Sequence, residues 1–352
     1  MSFPRPNYPK SQLIKNAVFD KYRLHKGNGD MWPNTWADNN MLVAASGDIP
    51  GSVLNVWQVT EKRLDFANLA VDMVNFTPVP TEFAKSLPDI HPDNYLKPAG
   101  VIFIGGRVYM TVSTMNYCEP EHNSRQRYPN SWIITSDDYG ITWDVHATPY
   151  DFFSGPLCGG TFVQFGKNYE GARDNYVYVS FPCSYKKISY WENGDCLLMG
   201  RVPQDSLLSR GAWEFYCGND EWSNDDAKAV PIFEYPEMTG QDFIHYNPGI
   251  KRYVLGNYSF MTEEGIPRPY HLGDLTKTYD TRYPSQLTLF EAPEPWGPWS
   301  LFHVNDAWGM YGGYQPSFPT KWMSQDGLTM HMVSSGSYDD YNFTVQKVQL
   351  CI

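Results

Sequence analysis

The chain has 352 residues, a formal net charge of −12, and aromatic side chains at 16% (12 Trp, 25 Tyr and 19 Phe). An acidic field of that size repels phosphate backbones and argues against nucleic acid as a partner. No apolar run reaches the ~18 residues of a membrane-crossing helix, so no membrane span is expected.

The start, Met1-Ser2-Phe3-Pro4-Arg5-Pro6, lacks the apolar core of a secretory leader. Two locations fit: the cytoplasm, or the exterior after a leader has been removed. A strand-like run follows at 14–22. Five further β-rich runs then recur, at 41–46, 108–113, 176–181, 252–258 and 329–334, with starts roughly 65–77 residues apart. Each follows another strand-like segment and a turn, including Asn39-Asn40, Gly105-Gly106, Asn247-Pro248-Gly249 and Asp326-Gly327, which is hairpin chemistry. In three of the five the segment before the turn is 163–168, 244–249 or 322–327. Later runs at 131–135, 196–202, 211–216, 286–291 and 297–302 supply third and fourth strands. One weak helix-like stretch lies at 61–70.

Four strands repeated five times predict an all-β fold, a five-bladed β-propeller with four-stranded antiparallel blades. Residues 1–352 are expected to form a single domain, its ring closed by the N-terminal strand beside a C-terminal run at 341–350. The segments 78–97, 118–130, 218–230 and 261–284 read as loops over one face.

The segment Ser136-Asp137-Asp138-Tyr139-Gly140-Ile141-Thr142-Trp143 matches the sialidase-type Asp-box, S-x-D-x-G-x-T-W. Its physical role is a tight turn: the aspartate caps backbone N–H groups, glycine takes positive φ, and tryptophan packs beneath. Asp138 is therefore read as structural. Ser324-Gln325-Asp326-Gly327-Leu328-Thr329 is a shortened echo.

Asp30 and Asp48 flank the first inner hairpin, whose turn is Asp38-Asn39-Asn40. Residues at the open ends of a hairpin share one rim. Two carboxylates at one rim suit glycoside hydrolysis, where one protonates the leaving oxygen and the other attacks or activates water. Asp48 is read as nucleophile and Asp30 as acid/base.

The run Asp30-Met31-Trp32-Pro33-Asn34-Thr35-Trp36-Ala37-Asp38 with Gly47-Asp48 resembles the DUF4185-type propellers. So do Glu291-Ala292-Pro293-Glu294-Pro295-Trp296-Gly297-Pro298-Trp299 and Lys321-Trp322-Met323-Ser324-Gln325-Asp326-Gly327. That resemblance implies a five-bladed propeller. Some members of the family are retaining endo-D-arabinanases with two catalytic aspartates, and the resemblance places Asp30 and Asp48 there. The turn departs from the family's usual Asp-Asp-Gly, at the end remote from the pair.

Further candidates for substrate binding are Trp32, Trp36, His91, Gln241, Asp242, His271, Tyr314 and Gln315. Amide, carboxyl and hydroxyl groups hydrogen-bond sugar hydroxyls, and aromatic rings stack on sugar faces. The eight histidines show no zinc spacing, and the six cysteines show no CxxC and read as buried thiols or one or two disulfides. No metal or cofactor is expected, although a structural calcium in the channel would need no sequence motif.

These features point to a glycoside hydrolase acting on a neutral glycan, arabinofuranosyl-containing by the resemblance. Its partner would be an oligo- or polysaccharide. The alternatives are a non-catalytic glycan-binding propeller, or a polysaccharide lyase using His and Tyr. Nothing in the sequence sets the oligomeric state.

Overall fold

The computed structural model describes residues 4–27, 29–48, 54–63, 69–78, 96–115, 127–261, 283–309, 313–336 and 342–352. They form five antiparallel blades. The first is Asp30–Trp36, Leu42–Gly47, Asn55–Arg63 and Ala70–Pro78. The second is Leu96–Ile104, Arg107–Thr114, Asn130–Ser136 and the short Phe153–Ser154. The third begins with Thr161–Phe162, Tyr176–Cys183, Gly194–Pro203 and Glu214–Gly218. The fourth is Phe243–Asn247, Arg252–Met261, Tyr283–Ala292 and Ser300–Trp308. The fifth is Tyr314–Ser317, Thr329–Ser335, Phe343–Cys351 and, on the outside, the N-terminal strand Asn16–Lys26.

The first strands of the five blades form the inner ring. Each contacts the first strand of the next blade, and the fifth returns to the first. Ring closure is thus as the sequence predicts, with Asn16 opposite Cys351 and Phe19 opposite Val348. All five recurrent β-rich runs are second strands. They lie between sheet neighbours and between blades, so they are buried on both faces. Leu42–Gly47 is buried throughout, which explains its unbroken small and apolar sequence.

Three expectations need correction. The third blade exceeds four strands: Glu221–Ser223 pairs with its fourth strand, and Phe233–Thr239 pairs with Gly194–Pro203. The helix-like stretch at 61–70 has strand at both described ends, with Glu61 opposite Val71 and Arg63 opposite Ala70. Edge pairing within the blade outweighs a weak helical propensity there. In the fifth blade the inner strand is Tyr314–Ser317, whereas Thr320–Trp322 is a 3-10 turn.

Polar side chains tie blade to blade near the axis. Thr35 Oγ1 accepts from the Phe103 N–H at 3.1 Å, and Gln164 Nε2 donates to the Val101 carbonyl at 2.8 Å. Thr161 Oγ1 donates to the Asp242 carbonyl at 2.7 Å, and Asn34 Nδ2 to Ser317 Oγ at 3.0 Å. Gly100 is required by proximity, because a Cβ there would lie 2.7 Å from the Gly160 carbonyl oxygen.

On the outer side, Asp138 Oδ1 accepts from the N–H groups of Ile141 (3.1 Å) and Thr142 (2.8 Å). Gly140 has φ +90°, and Trp143 Nε1 donates to its carbonyl. Burial pushes the Asp138 carboxyl up, but hydrogen bonds from Thr142, Ser136 and Ile141 outweigh it and hold the group below its ordinary value. Asp326 repeats the arrangement, accepting from Ser324 Oγ and the Leu328 N–H. The five described cysteines are free thiols, and Cys118 lies outside the described residues.

Candidate active site

Asp30 opens the first inner strand and stands opposite Gly47 of the returning strand; Asp48 comes next in the chain. The hairpin brings the two acids together. The ladder slips between Met31 and Asn34, and Met31 (φ +80°) and Trp32 (φ +59°) are left-handed. Asp48 is left-handed as well (φ +53°). The fifth inner strand slips between Tyr314 and Ser317, with Gln315 at φ +53°. Such backbone is uncommon for residues other than glycine, and a bulge re-aims the side chains beside it. The irregularities therefore concentrate around Asp30, Asp48 and Gln315.

One lysine joins the two acids. Lys97 Nζ lies 2.6 Å from Asp48 Oδ1 and 3.5 Å from Asp30 Oδ1. Lys97 and Asp30 are almost enclosed, with side-chain exposures of 4% and 8%, whereas that of Asp48 is 27%. Tyr314 donates its hydroxyl to Asp30 Oδ2 at 3.2 Å. A Cβ on Gly47 would stand 3.1 Å from Lys97 Cδ and 3.2 Å from Asp30 Oδ1, so a side chain there would press on both. Three blades contribute: the first supplies the acids, the second the ammonium, the fifth the phenol.

A second polar group lies between blades. Gln241 Oε1 accepts from the Tyr128 hydroxyl at 2.7 Å and from Gln315 Nε2 at 3.1 Å, and Gln241 Nε2 donates to the Gly159 carbonyl. Gln241 and Gln315 are buried, and the Gln315 Oε1 has no partner among the described residues. Asp242 is fully buried, and neither carboxyl oxygen has a well-formed hydrogen bond among the described residues. Burial holds this carboxyl well above the ordinary range, opposed only by the Tyr258 backbone N–H.

Asp242 therefore stays protonated in the fold where the unfolded chain would ionise. Its folded value is raised, so it costs no stability below about pH 4 and an increasing amount as pH rises. Asp242→Asn, which cannot ionise, is expected to leave the melting temperature unchanged at about pH 4 and raise it above neutrality. A variant less stable than the parent across that whole range would contradict this.

The other candidates are placed as follows. Trp32 is fully enclosed, its ring packed on Trp57 and edge-on to Phe343. Trp36 is half-buried at the turn end of the hairpin, donating Nε1 to Asn40 Oδ1 at 3.1 Å. Asp38 lies at that same remote end, accepting from the Tyr139 hydroxyl. His91 and His271 fall outside the described residues. His245 is buried, and burial lowers its pKa to about 3, so it stays neutral.

Three residues were given no catalytic or binding role by the sequence alone. Lys97 is one; its signal is a lone cation opening the otherwise apolar inner strand Leu96–Ile104. Trp191 is another, half-buried, with its ring 5.6 Å from that of Tyr314. The Trp191 carbonyl accepts from the Gln241 N–H at 3.0 Å and from the Tyr258 hydroxyl. The third is Tyr128, on a two-stranded ribbon of Arg127–Tyr128 and Ser189–Tyr190. Neither Trp191 nor Tyr128 carries a local motif; long connections deliver both.

Fold and site together describe a five-bladed propeller with a lysine-bridged aspartate pair at the open end of its first hairpin. No protein-family model matches the chain, and no curated protein matches it. Solved structures do. A putative hydrolase from Bacteroides ovatus ATCC 8483 superposes with a TM-score of 0.54 at 12% identity, covering 93% of this chain and 87% of that one. A xylan β-1,4-xylosidase from Bacillus halodurans C-125 gives 0.51 at 9% identity, covering 97% and 54%. The GH43 protein BlXynB from Bacillus licheniformis gives 0.51 at 10%, covering 92% and 54%. The chain spans about half the length of the two Bacillus proteins. At these identities the likeness establishes the fold, one shared with glycoside hydrolases.

Proposed function

We propose that this protein is a glycoside hydrolase acting on a neutral oligo- or polysaccharide, with Asp30 and Asp48 as its carboxyl pair. The observation that carries the proposal is the meeting of both acids at one buried ammonium, Lys97. Asp48, the more exposed, is the nucleophile. Asp30, enclosed and touched by the Tyr314 hydroxyl, is the acid/base.

In the first step an Asp48 oxygen bonds to the anomeric carbon while the glycosidic C–O bond breaks. The Asp30 proton passes to the leaving oxygen. In the second, water attacks the same carbon, Asp30 takes its proton, and the Asp48 ester bond breaks. The shared ammonium favours the closer carboxyl spacing of this double displacement, about 5–5.5 Å, over the roughly 6.5–9.5 Å of inverting enzymes. Furanosides of arabinose are the first substrates to try, on the motif resemblance to DUF4185-type propellers. Gln241, Gln315 and Trp191, linked to Tyr314 or to one another, are the proposed sugar contacts.

The test is turnover of a panel of arabinans, xylans and other neutral glycans by the parent, Asp30→Asn and Asp48→Asn. The expected result is product from the parent, and loss of turnover with binding retained in both variants. Binding without product from the parent would leave a glycan-binding propeller in place of an enzyme. A product absorbing near 235 nm, the mark of an unsaturated uronate, would make it a lyase.

A further inference from the structure

Two of the buried thiols face each other. Cys183 ends the second strand of the third blade and stands opposite Cys196 of its third strand. Pro182 and Pro203 have no N–H, so Pro182–Leu197 and Tyr176–Pro203 are the non-hydrogen-bonded pairs of this ladder. The alternation then makes Cys183–Cys196 a hydrogen-bonded pair, with Cα atoms about 5.5 Å apart. A disulfide spans Cα separations of about 4.4–6.8 Å, so the backbone already holds the two residues at bridging distance. Their side chains are neighbours. Cys196 Sγ donates to the Cys183 carbonyl at 3.5 Å. Hydrogen bonding between the two thiols, ahead of burial, holds Cys196 well above its ordinary pKa. Among the described residues no other two cysteines are ladder partners.

Between the two cysteines runs the connection 184–195. It brings Trp191 against Tyr314, and it brings Asn193 to the fourth blade, where Asn193 exchanges hydrogen bonds of 2.9 and 3.0 Å with the Phe260 backbone. Asp195 ties the end of the connection to its start by accepting from the Tyr185 N–H at 2.8 Å. We propose that Cys183 and Cys196 are a dithiol–disulfide couple whose closure locks this connection, and Trp191 with it, in place. The oxidant is a small-molecule disulfide such as oxidised glutathione. One cysteine thiol loses its proton and attacks the small disulfide, whose S–S bond breaks to release one thiol carrying that proton. The second cysteine sulfur then attacks the protein sulfur of the mixed disulfide. The protein S–S bond forms, the mixed bond breaks, and a second small thiol leaves with the second proton. Two protein thiols are oxidised by two electrons in all, and one small disulfide is reduced to two thiols. In a reducing compartment the pair stays open, and in an oxidising one it closes. The couple does not depend on glycan cleavage: a chain without turnover would carry it equally.

Both thiols are buried, so exchange in the intact fold is slow and partial unfolding speeds it. The full chain is therefore incubated at about pH 8.5 with reduced or oxidised glutathione, in denaturant just below the unfolding transition. It is then quenched in acid, blocked with N-ethylmaleimide and digested with trypsin without reduction. Cleavage after Arg127, Lys167, Arg173, Lys186, Lys187 and Arg201 leaves Cys158, Cys183 and Cys196 in three separate peptides, 128–167, 174–186 and 188–201. With oxidised glutathione, 174–186 is expected joined to 188–201, lighter than the two together by two hydrogen atoms and parted again by reduction. A link from Cys183 to any other cysteine would overturn the couple. So would recovery of Cys183 and Cys196 only as blocked thiols or glutathione adducts at every glutathione ratio.

The second measurement is the melting temperature of the two forms. The bridge closes a loop of about 14 residues, and constraining such a loop in the unfolded chain should raise the melting temperature of the oxidised form by on the order of 5 °C. Cys183→Ala and Cys196→Ala should each abolish the linked peptide and the rise, whereas Cys158→Ala should keep both. Every variant is compared with itself in the two glutathione states, so a general loss of stability cancels. A linked chain that melts at or below its reduced form would overturn the lock. A rise that persists in Cys196→Ala would belong to other thiols and remove the couple.

Discussion

Asp48→Ala is expected to lower turnover on arabinan by about 10⁴-fold or more, with folding intact by circular dichroism. The magnitude follows from removing a nucleophile whose covalent intermediate divides one hard step into two easier ones. Asp48 is only partly buried, and Lys97 keeps its contact with Asp30, so the fold should survive the truncation. The vacated volume lies where the ester bond would form. Sodium azide should therefore enter it, attack the anomeric carbon, and release a glycosyl azide of inverted configuration. Asp30→Ala should respond differently. It removes the proton donor, so a 2,4-dinitrophenyl glycoside, whose leaving group needs no proton, should retain more activity than arabinan. Azide should then give a product of retained configuration. Azide products of the opposite configurations would exchange the two roles, and parental turnover in both variants would remove the mechanism.

Removing the closing strand Phe343–Cys351 should abolish cooperative unfolding altogether. This strand is hydrogen-bonded on both sides, to Thr329–Ser335 and to the N-terminal Asn16–Lys26. Phe343, Val345, Val348 and Leu350 are all buried. Each is worth about 1.5–3 kcal/mol of burial, against a total stability for a typical domain of about 5–15 kcal/mol. The deletion also leaves the N-terminal strand without its partner and opens the ring at the fifth blade, whose Tyr314 touches Asp30. Val345→Pro is the finer probe. Val345 pairs with Val333 on one side and Leu24 on the other, and proline removes an N–H from the middle of the ladder. Its expected signature is a melting transition lowered by ten degrees or more, on the order of a lost core strand contact. A deletion variant that still melts cooperatively near the parental temperature would show that the ring does not depend on this closure.

Much of the fold could be read from local chemistry. The five second strands are rich in apolar and aromatic residues because each is covered by a blade on either face, and that environment writes itself into the local sequence. The turn at Asp138 was legible for the same reason: its partners, Ser136, Ile141 and Thr142, lie within four residues of it. The inner strands were harder. Thr161–Phe162 and Tyr314–Ser317 are two and four residues long, too short to show a period, and the fifth was displaced to the neighbouring Trp322 segment. The extra strands of the third blade were missed because Phe233–Thr239 pairs with Gly194–Pro203, some forty residues earlier, and no local pattern records that partner.

The acid pair shows where the boundary falls. A hairpin brings its two ends to one place, so the nearness of Asp30 and Asp48 follows from the chain order of two strands and a turn. The ammonium between them does not: Lys97 arrives from the next blade, and Tyr314 from the last one, 284 residues away along the chain. Backbone periodicity and turn residues act over a few positions, and they specified strands, blades and ring. Charge pairing and burial act through space. They became fixed only when the ring closed and set one lysine against two carboxylates in a site largely withdrawn from water.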